Sequence, residues 1–262
     1  MKPRNKNRTV TNEKLKLSPI SECLCQFQFT PSSEWDWTLP GRLYERIKDE
    51  FSERSQINQF ALQSPAIPGM VSIPVPVAVP QLVQLRRPDG TAVVQIGSNM
   101  LIVNQLPPYP GWEDFFALIT KIFSEYLELI GDFSLDRIDL RYINKIFLPV
   151  KMEGNRIEDF ITVISPLEGD IDRPLLSFNQ RYDISYNYPE AILIHQTALA
   201  QEDDKSLIIL DLDFFSETVK SINQITEIQA WLDQSHIHIY KAFISSLNSQ
   251  YYQRIREGQI EL

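Results

Sequence analysis

The chain carries one layout twice, and this constrains its fold more than any single motif does. Between Thr91 and Leu127 an apolar run leads through a polar break into a long amphipathic stretch. From Ser206 (SLIILDLDFFSE) to Leu247 (WLDQSHIHIYKAFISSL) the same order recurs. A strand-like segment and a shorter helical one precede each unit. Two units of strand, helix, two to four antiparallel strands and long helix, set side by side, predict one continuous antiparallel sheet. The helices cover one face of it, and the other face is concave and partly polar. The expected class is α+β with a tandem duplication.

The local patterns support this order. In Ile20–Phe29 the odd positions Cys23, Cys25, Phe27 and Phe29 alternate with Leu24, Gln26 and Gln28, so the odd ones face a core. Leu43, Ile47 and Phe51 then recur at four-residue spacing as a helical stripe. Pro88-Asp89-Gly90 is a turn between two strand-like runs, continuing into NMLIVNQL. Trp112, Phe115, Phe116, Ile119, Ile122, Phe123 and Tyr126 form the apolar face of a long helix that Gly131 stops. Arg137–Leu148 is the clearest strand. Ile138, Leu140, Tyr142, Ile146 and Leu148 share one face; Arg137, Asp139, Arg141, Ile143, Lys145 and Phe147 share the other. RIEDFITVI reads as a short helix. RYDISYNY and AILIHQTAL flank Pro189-Glu190 as a second hairpin, and LIILDLDFF is a further strand. The C-terminal helix opens at Thr226-x-x-Gln229, a capping box, and its stripe runs from Ile228 to Leu247. The segment 65–80, with five prolines, is excluded from a central strand and reads as an edge or a polyproline-like stretch. The domain plan is a flexible basic arm at 1–17, a first α+β half at 18–133 and a second at 134–262, packed as one unit.

Bulk properties narrow the function classes. A net charge of −9 and a pI near 4.9 oppose a broad electrostatic grip on nucleic acid or anionic lipid. No apolar run reaches the ~20 residues that span a bilayer. MKPRNKNRTVTNEKLKL has positive charges but no apolar core behind them, so it does not read as a signal peptide. Cys23 and Cys25 lie two apart on a strand, a poor geometry for a disulfide, and read as buried free thiols of a cytoplasmic protein.

The order of elements is similar to TATA-binding-protein-like and helix-grip arrangements. Three segments, LPPYPGWEDFFALITKIFSEYLEL, DRIDLRYINKIFLP and LIILDLDFF with the helix that follows, resemble an uncharacterised, sporadically distributed prokaryotic family. The turn Tyr109-x-Gly111-Trp112 and the strand Arg137-Ile-Asp-Leu-Arg-Tyr-Ile-Asn144 are its most specific parts; the N-terminal third matches loosely. The resemblance implies no activity. A patchy distribution implies horizontal transfer, and with it a defence, toxin–antitoxin or other mobile-element setting.

Few residues carry candidate chemistry. Asp211 and Asp213 project from one strand face about 7 Å apart, a spacing that can hold a divalent metal or, through it, a phosphate. Arg137, Asp139 and Arg141 lie on a polar strand face, where arginines can hold an anion. The plainer reading of all five is a cross-strand salt-bridge ladder. Tyr182, Tyr186 and Tyr188 share one sheet face and can line a groove. Tyr109, Gly111 and Trp112 are either a recognition surface or a tight turn with an aromatic plug. His236 and His238, two apart on a helix, cannot share a metal, and His195 stands alone on an apolar strand. No nucleophile elbow or glycine-rich phosphate loop occurs, so no catalytic, cofactor-binding or metal-ligating residue is assigned.

The expectation is a non-catalytic regulatory or binding protein, antitoxin-like or defence-accessory, that uses Arg137, Asp139, Arg141, Asp211, Asp213, Tyr182 and Tyr186 as a groove for a protein partner. One alternative is a small-molecule sensor with a helix-grip cavity. Another is a metal-dependent phosphohydrolase centred on Asp211 and Asp213.

Overall fold

A computed structural model describes residues 15–30, 36–57, 60–63, 75–78, 82–148, 157–163, 177–187, 189–203, 205–217, 219 and 224–259. Among the described residues there are eleven strands: β1 (Ile20–Phe29), β2 (Glu53–Ile57), β3 (Phe60–Gln63), β4 (Val75–Ala78), β5 (Leu82–Arg86), β6 (Ala92–Gly97), β7 (Met100–Gln105), β8 (Leu135–Phe147), β9 (Asn179–Asn187), β10 (Glu190–Glu202) and β11 (Lys205–Ser216). The helices are α1 (Leu39–Ile47), α2 (Trp112–Ile130), α3 (Ile225–Ser246) and α4 (Ser249–Glu257). Nine strands form one antiparallel sheet in the order β2-β5-β6-β7-β1-β8-β11-β10-β9, and β3 pairs with β4 separately. This is an α+β protein with α2 and α3 on one face of the sheet.

The β1–β8 ladder is the middle of the sheet. Outward from it one wing runs β7, β6, β5, β2 and the other β11, β10, β9. Alternation decides which side chains meet the helices. Cys23, Cys25, Phe27 and Phe29 of β1, Ile138, Leu140, Tyr142 and Ile146 of β8, and Ile208, Leu210, Leu212 and Phe214 of β11 are all buried. Phe27 stacks on Phe123 of α2 at 4.2 Å, and Phe214 lies 5.9 Å from Trp231 of α3. The second face is polar at its middle, with Glu22, Gln26, Arg141, Asp211 and Asp213 in register.

Several elements end differently from their sequence patterns. RIEDFITVI is one 3-10 turn at Ile157–Asp159 rather than a helix. Its next residues pair elsewhere: Ile161 bridges to Leu247, and Thr162 N–H donates to Ser246 O at 2.8 Å. Tertiary pairing outweighs the local helical period there. α3 starts ahead of Thr226. Gln224 is extended (φ −122°, ψ 142°) and forms the capping box with Glu227. The acidic Glu227 in the first turn also complements the helix dipole, which neutral Gln229 cannot do. The C-terminal helix breaks at Leu247 and resumes as α4, capped by the Asn248 side chain, which accepts from Gln250 N–H at 2.9 Å. Gly131, with φ 72°, ends α2 as its sequence position predicts.

Of the proline-rich stretch 65–80, residues 75–78 are the strand β4, with Pro76 opposite Leu62; 65–74, 79 and 80 lie outside the described residues. Of the basic arm, residues 1–14 lie outside them, whereas Leu17 N–H donates to Ile255 O at 3.0 Å. Cys23 and Cys25 are buried free thiols, both pushed well above the usual thiol pKa by burial. Among the described residues no helix is long and apolar enough to cross a membrane.

Candidate ligand pocket

A pocket opens between α2, α3 and the middle of the sheet, with a volume of about 110 Å³. Two segments singled out in the sequence meet there. Tyr109 and Gly111 come from the loop before α2, and Trp112 is the first residue of that helix. Gly111 holds φ 119°, a value that favours glycine and lets the chain turn sharply into the helix. Tyr142 and Asn144 come from β8, and His236 from the middle of α3.

A hydrogen-bonded chain crosses the pocket. Tyr109 Oη and Tyr142 Oη are 3.1 Å apart, and Tyr142 Oη lies 3.3 Å from His236 Nδ1. Neutral hydroxyls and imidazole can orient such a chain in either direction. Trp112 stacks on His236 at 4.2 Å with an interplanar angle of 3°, and its Nε1 donates to Asp233 at 3.1 Å. Burial lowers the His236 pKa to about 4, so the ring is neutral near pH 7. Burial raises the Tyr109 and Tyr142 hydroxyls above the usual phenol range. Asn144 donates to Leu210 O at 3.0 Å. The remaining walls are Leu15, Ser18, Ile20, Leu212, Ile239, Tyr240 and Phe243, and among the described residues no Asp, Glu, Lys or Arg lines the pocket. A lining of this kind can accommodate an uncharged, largely apolar body and hydrogen-bond to it.

The charged residues occupy the opposite face of the sheet, where they engage one another. Arg141 forms a two-pronged pair with Asp211, Nε to Oδ1 at 2.8 Å and Nη2 to Oδ2 at 2.5 Å. Arg137 Nε donates to Asp139 Oδ1 at 2.8 Å, its Nη1 reaches Glu217 at 3.1 Å, and its guanidinium lies 3.7 Å over the Phe215 ring. Asp213 sits among these pairs. Its Oδ1 is buried without a hydrogen-bond partner, and burial together with the Asp139 carboxylate raises its pKa to about 6. With Asp211 committed to Arg141, the two aspartates do not form a free carboxylate pair. Among the described residues no three His, Cys, Asp or Glu side chains converge as a metal site requires.

Tyr182 and Tyr186 are not brought together with that charged group. Tyr182 is opposite His195, and His195 is opposite Leu212, which places both tyrosines on the helix side of the sheet. Tyr186 packs 4.5 Å from His238 and 5.2 Å from Phe214, while Tyr182 is exposed at the sheet margin. Tyr188 lies outside the described residues. His195 is a core residue, its Nε2 2.7 Å from Ser246 Oγ. Sequence reasoning singled out Tyr109, Gly111 and Trp112 but assigned Tyr142 only to a core face and His236 only to a failed metal pair. Tyr142 and Asn144 do lie within the distinctive β8 motif, the one signal that marks them.

The fold and pocket define a sheet-and-helix protein with a small cavity that is uncharged among the described residues. A comparison with models of known protein families finds no match to this chain, and a comparison with curated proteins finds none either. The resemblance to the sporadically distributed family rests on its motif residues alone.

Proposed function

We propose that this protein binds a small, uncharged, largely apolar molecule in the pocket between α2, α3 and β8, and acts as a sensor rather than a catalyst. The observation that carries this reading is the Tyr109–Tyr142–His236 chain set in a largely apolar cavity that no charged side chain lines among the described residues. The volume is on the scale of the ~150 Å³ apolar cavity that holds one benzene ring, so the ligand is compact. A hydroxyl or carbonyl on it would join the chain at either end. A cytoplasmic setting accords with the two buried free thiols. The mirrored order of the two wings about β1–β8 supports a tandem duplication in which the second unit's short helix has shrunk to a 3-10 turn.

Thermal melting tests the ligand reading. Indole and p-cresol, both neutral, are expected to raise Tm by about 5 °C near saturation, and the anion indole-3-acetate is not. Ile239→Phe, which fills the cavity, should abolish the response. Absence of any response to neutral aromatics would sink the proposal.

A second reading places a macromolecular partner on the charged face, in a regulatory, antitoxin-like or defence-accessory role. It is favoured by the charged cluster on that face, where the Arg137–Asp139 and Arg141–Asp211 pairs present both signs to a protein partner. Native mass spectrometry of the protein from its own host separates the two readings. Kilodaltons beyond whole multiples of the 30.4 kDa chain support a macromolecular partner. A few hundred daltons, roughly, support the pocket.

A further inference from the structure

The two ends of the large sheet are finished differently. At one end β2 is five residues, ERSQI, largely polar. At the other, β9 runs nine residues, NQRYDISYN, without proline and without a break in its register with β10. Among the described residues β9 has a strand on one side alone. Among the described residues four large apolar side chains are exposed, and three of them, Tyr182, Ile184 and Ile192, lie at this end, 43%, 40% and 39% exposed. The fourth, Trp37, lies elsewhere.

The ladder with β10 fixes which backbone groups of β9 are free to pair. Leu199 N–H donates to Phe178 O at 3.1 Å, and the antiparallel register continues from there through Asn187. In such a ladder successive residues direct their N–H and C=O to opposite sides. The even-numbered residues of β9 therefore address β10. Asn179, Arg181, Asp183, Ser185 and Asn187 direct their backbone groups away from the sheet. Arg181 and Asp183, both exposed, form an ion pair along the strand at 2.8 Å.

We propose that β9 pairs antiparallel with β9 of a second copy of this chain, about a two-fold axis at Tyr182, so that two sheets become one. In this register Arg181 lies opposite Asp183 of the second copy and Asp183 opposite its Arg181. Both belong to the outward-directed set, so the same residues exchange backbone hydrogen bonds and complete a ring of alternating charges. Tyr182 faces its own counterpart at the non-hydrogen-bonded position, where side chains approach most closely. Ile184 sits diagonally beside it and is covered.

The adjacent registers fail on charge. An axis at Arg181 or at Asp183 sets like charges opposite each other, and an axis at Ile184 pairs Asp183 with Ser185 and forgoes both ion pairs. Charges on an edge strand ordinarily keep other strands away. Here their opposite signs, two residues apart, make the strand complementary to itself, as a two-fold interface requires.

Sedimentation equilibrium of the full chain from about 1 to 100 µM tests this. The wild type is expected at twice 30.4 kDa. Arg181→Asp and Asp183→Arg each place like charges across the axis and should weaken the dimer at least about tenfold. The double variant Arg181→Asp/Asp183→Arg restores the complementarity and should dimerise within about threefold of wild type. Ser185→Pro removes an outward N–H while sparing the β10 ladder, and should be monomeric with an unchanged circular dichroism spectrum. A monomeric wild type across this range would overturn the proposal. So would a dimer indifferent to the single reversals or to Ser185→Pro, or a double variant as weak as the singles.

Discussion

Trp112 and His236 stack face to face at 4.2 Å, joining the first turn of α2 to the middle of α3. The indole also donates to Asp233, one turn earlier on α3. One side chain thus sets the spacing of the two long helices and forms a wall of the pocket. Trp112→Ala should cost about 3–5 kcal/mol of stability, because it removes a buried aromatic and leaves a void. Trp112→Phe should cost less. Urea unfolding of both variants measures this, and equal losses would argue against a stacking role.

Gly111 isolates the backbone contribution at the same corner. A Cβ at this position meets nothing within 4 Å, so its penalty is conformational and comes from φ 119° alone. Gly111→Ala is expected to destabilise by about 1–3 kcal/mol and to weaken binding of neutral aromatics by moving Tyr109. A variant as stable as wild type would show that the turn relaxes.

Two buried groups oppose each other in the pH dependence of stability. His236 titrates near 4 when folded against 6.5 ordinarily. Between those values the unfolded chain takes up a proton the folded one refuses, so stability present above pH 6.5 falls as the pH falls toward 4. Asp213 titrates near 6 against 3.8. Its contribution is present below 3.8 and is lost as the pH rises through 6. These two contributions should therefore nearly cancel between about pH 4.5 and 6. Asp213→Asn should be more stable than wild type by about 1–2 kcal/mol at pH 7.5 and should lose stability steadily on acidification. Denaturant titrations at pH 7.5, 6 and 4.5 test the sign, and a wild type that loses stability as steeply as the variant would reject it.

The Arg141–Asp211 pair should behave as a unit. Asp211 is 14% exposed and holds both oxygens on the guanidinium. Arg141→Met leaves that carboxylate without its partner and should cost about 2–3 kcal/mol. Adding Asp211→Leu should recover most of the loss. A double-mutant cycle gives the coupling, and simple additivity would mean the pair contributes little.

Much of the fold is legible along the chain, because its evidence is local. The odd residues of β1, the split faces of β8 and the stripe from Trp112 to Tyr126 each follow from backbone periodicities of two and 3.6. The two hairpins follow from Pro88-Asp89-Gly90 and Pro189-Glu190. The exceptions come where a distant segment competes. Ile161 and Thr162 pair with the end of α3 instead of continuing a helix. Strand β2 has no alternating apolar pattern to announce it, since it is a polar edge.

The site was only half legible. Tyr109, Gly111 and Trp112 stood out as a motif, but what they meet depends on α3, more than a hundred residues away. Tyr182 and Tyr186 share a face with each other, as their even spacing requires. Whether that face is the one bearing Arg141 and Asp213 depends on the β9–β10–β11 register, and a shift of one residue would reverse the answer.

By itself, then, the sequence determined the type of most elements and the residues each one buries, because backbone geometry imposes those patterns within a few residues. Tertiary structure alone decided which faces meet: the pocket around Tyr142 and His236, the mutual pairing of the charged face, and the strand left at the margin. Those outcomes rest on contacts between residues far apart in the chain, and no local period encodes them.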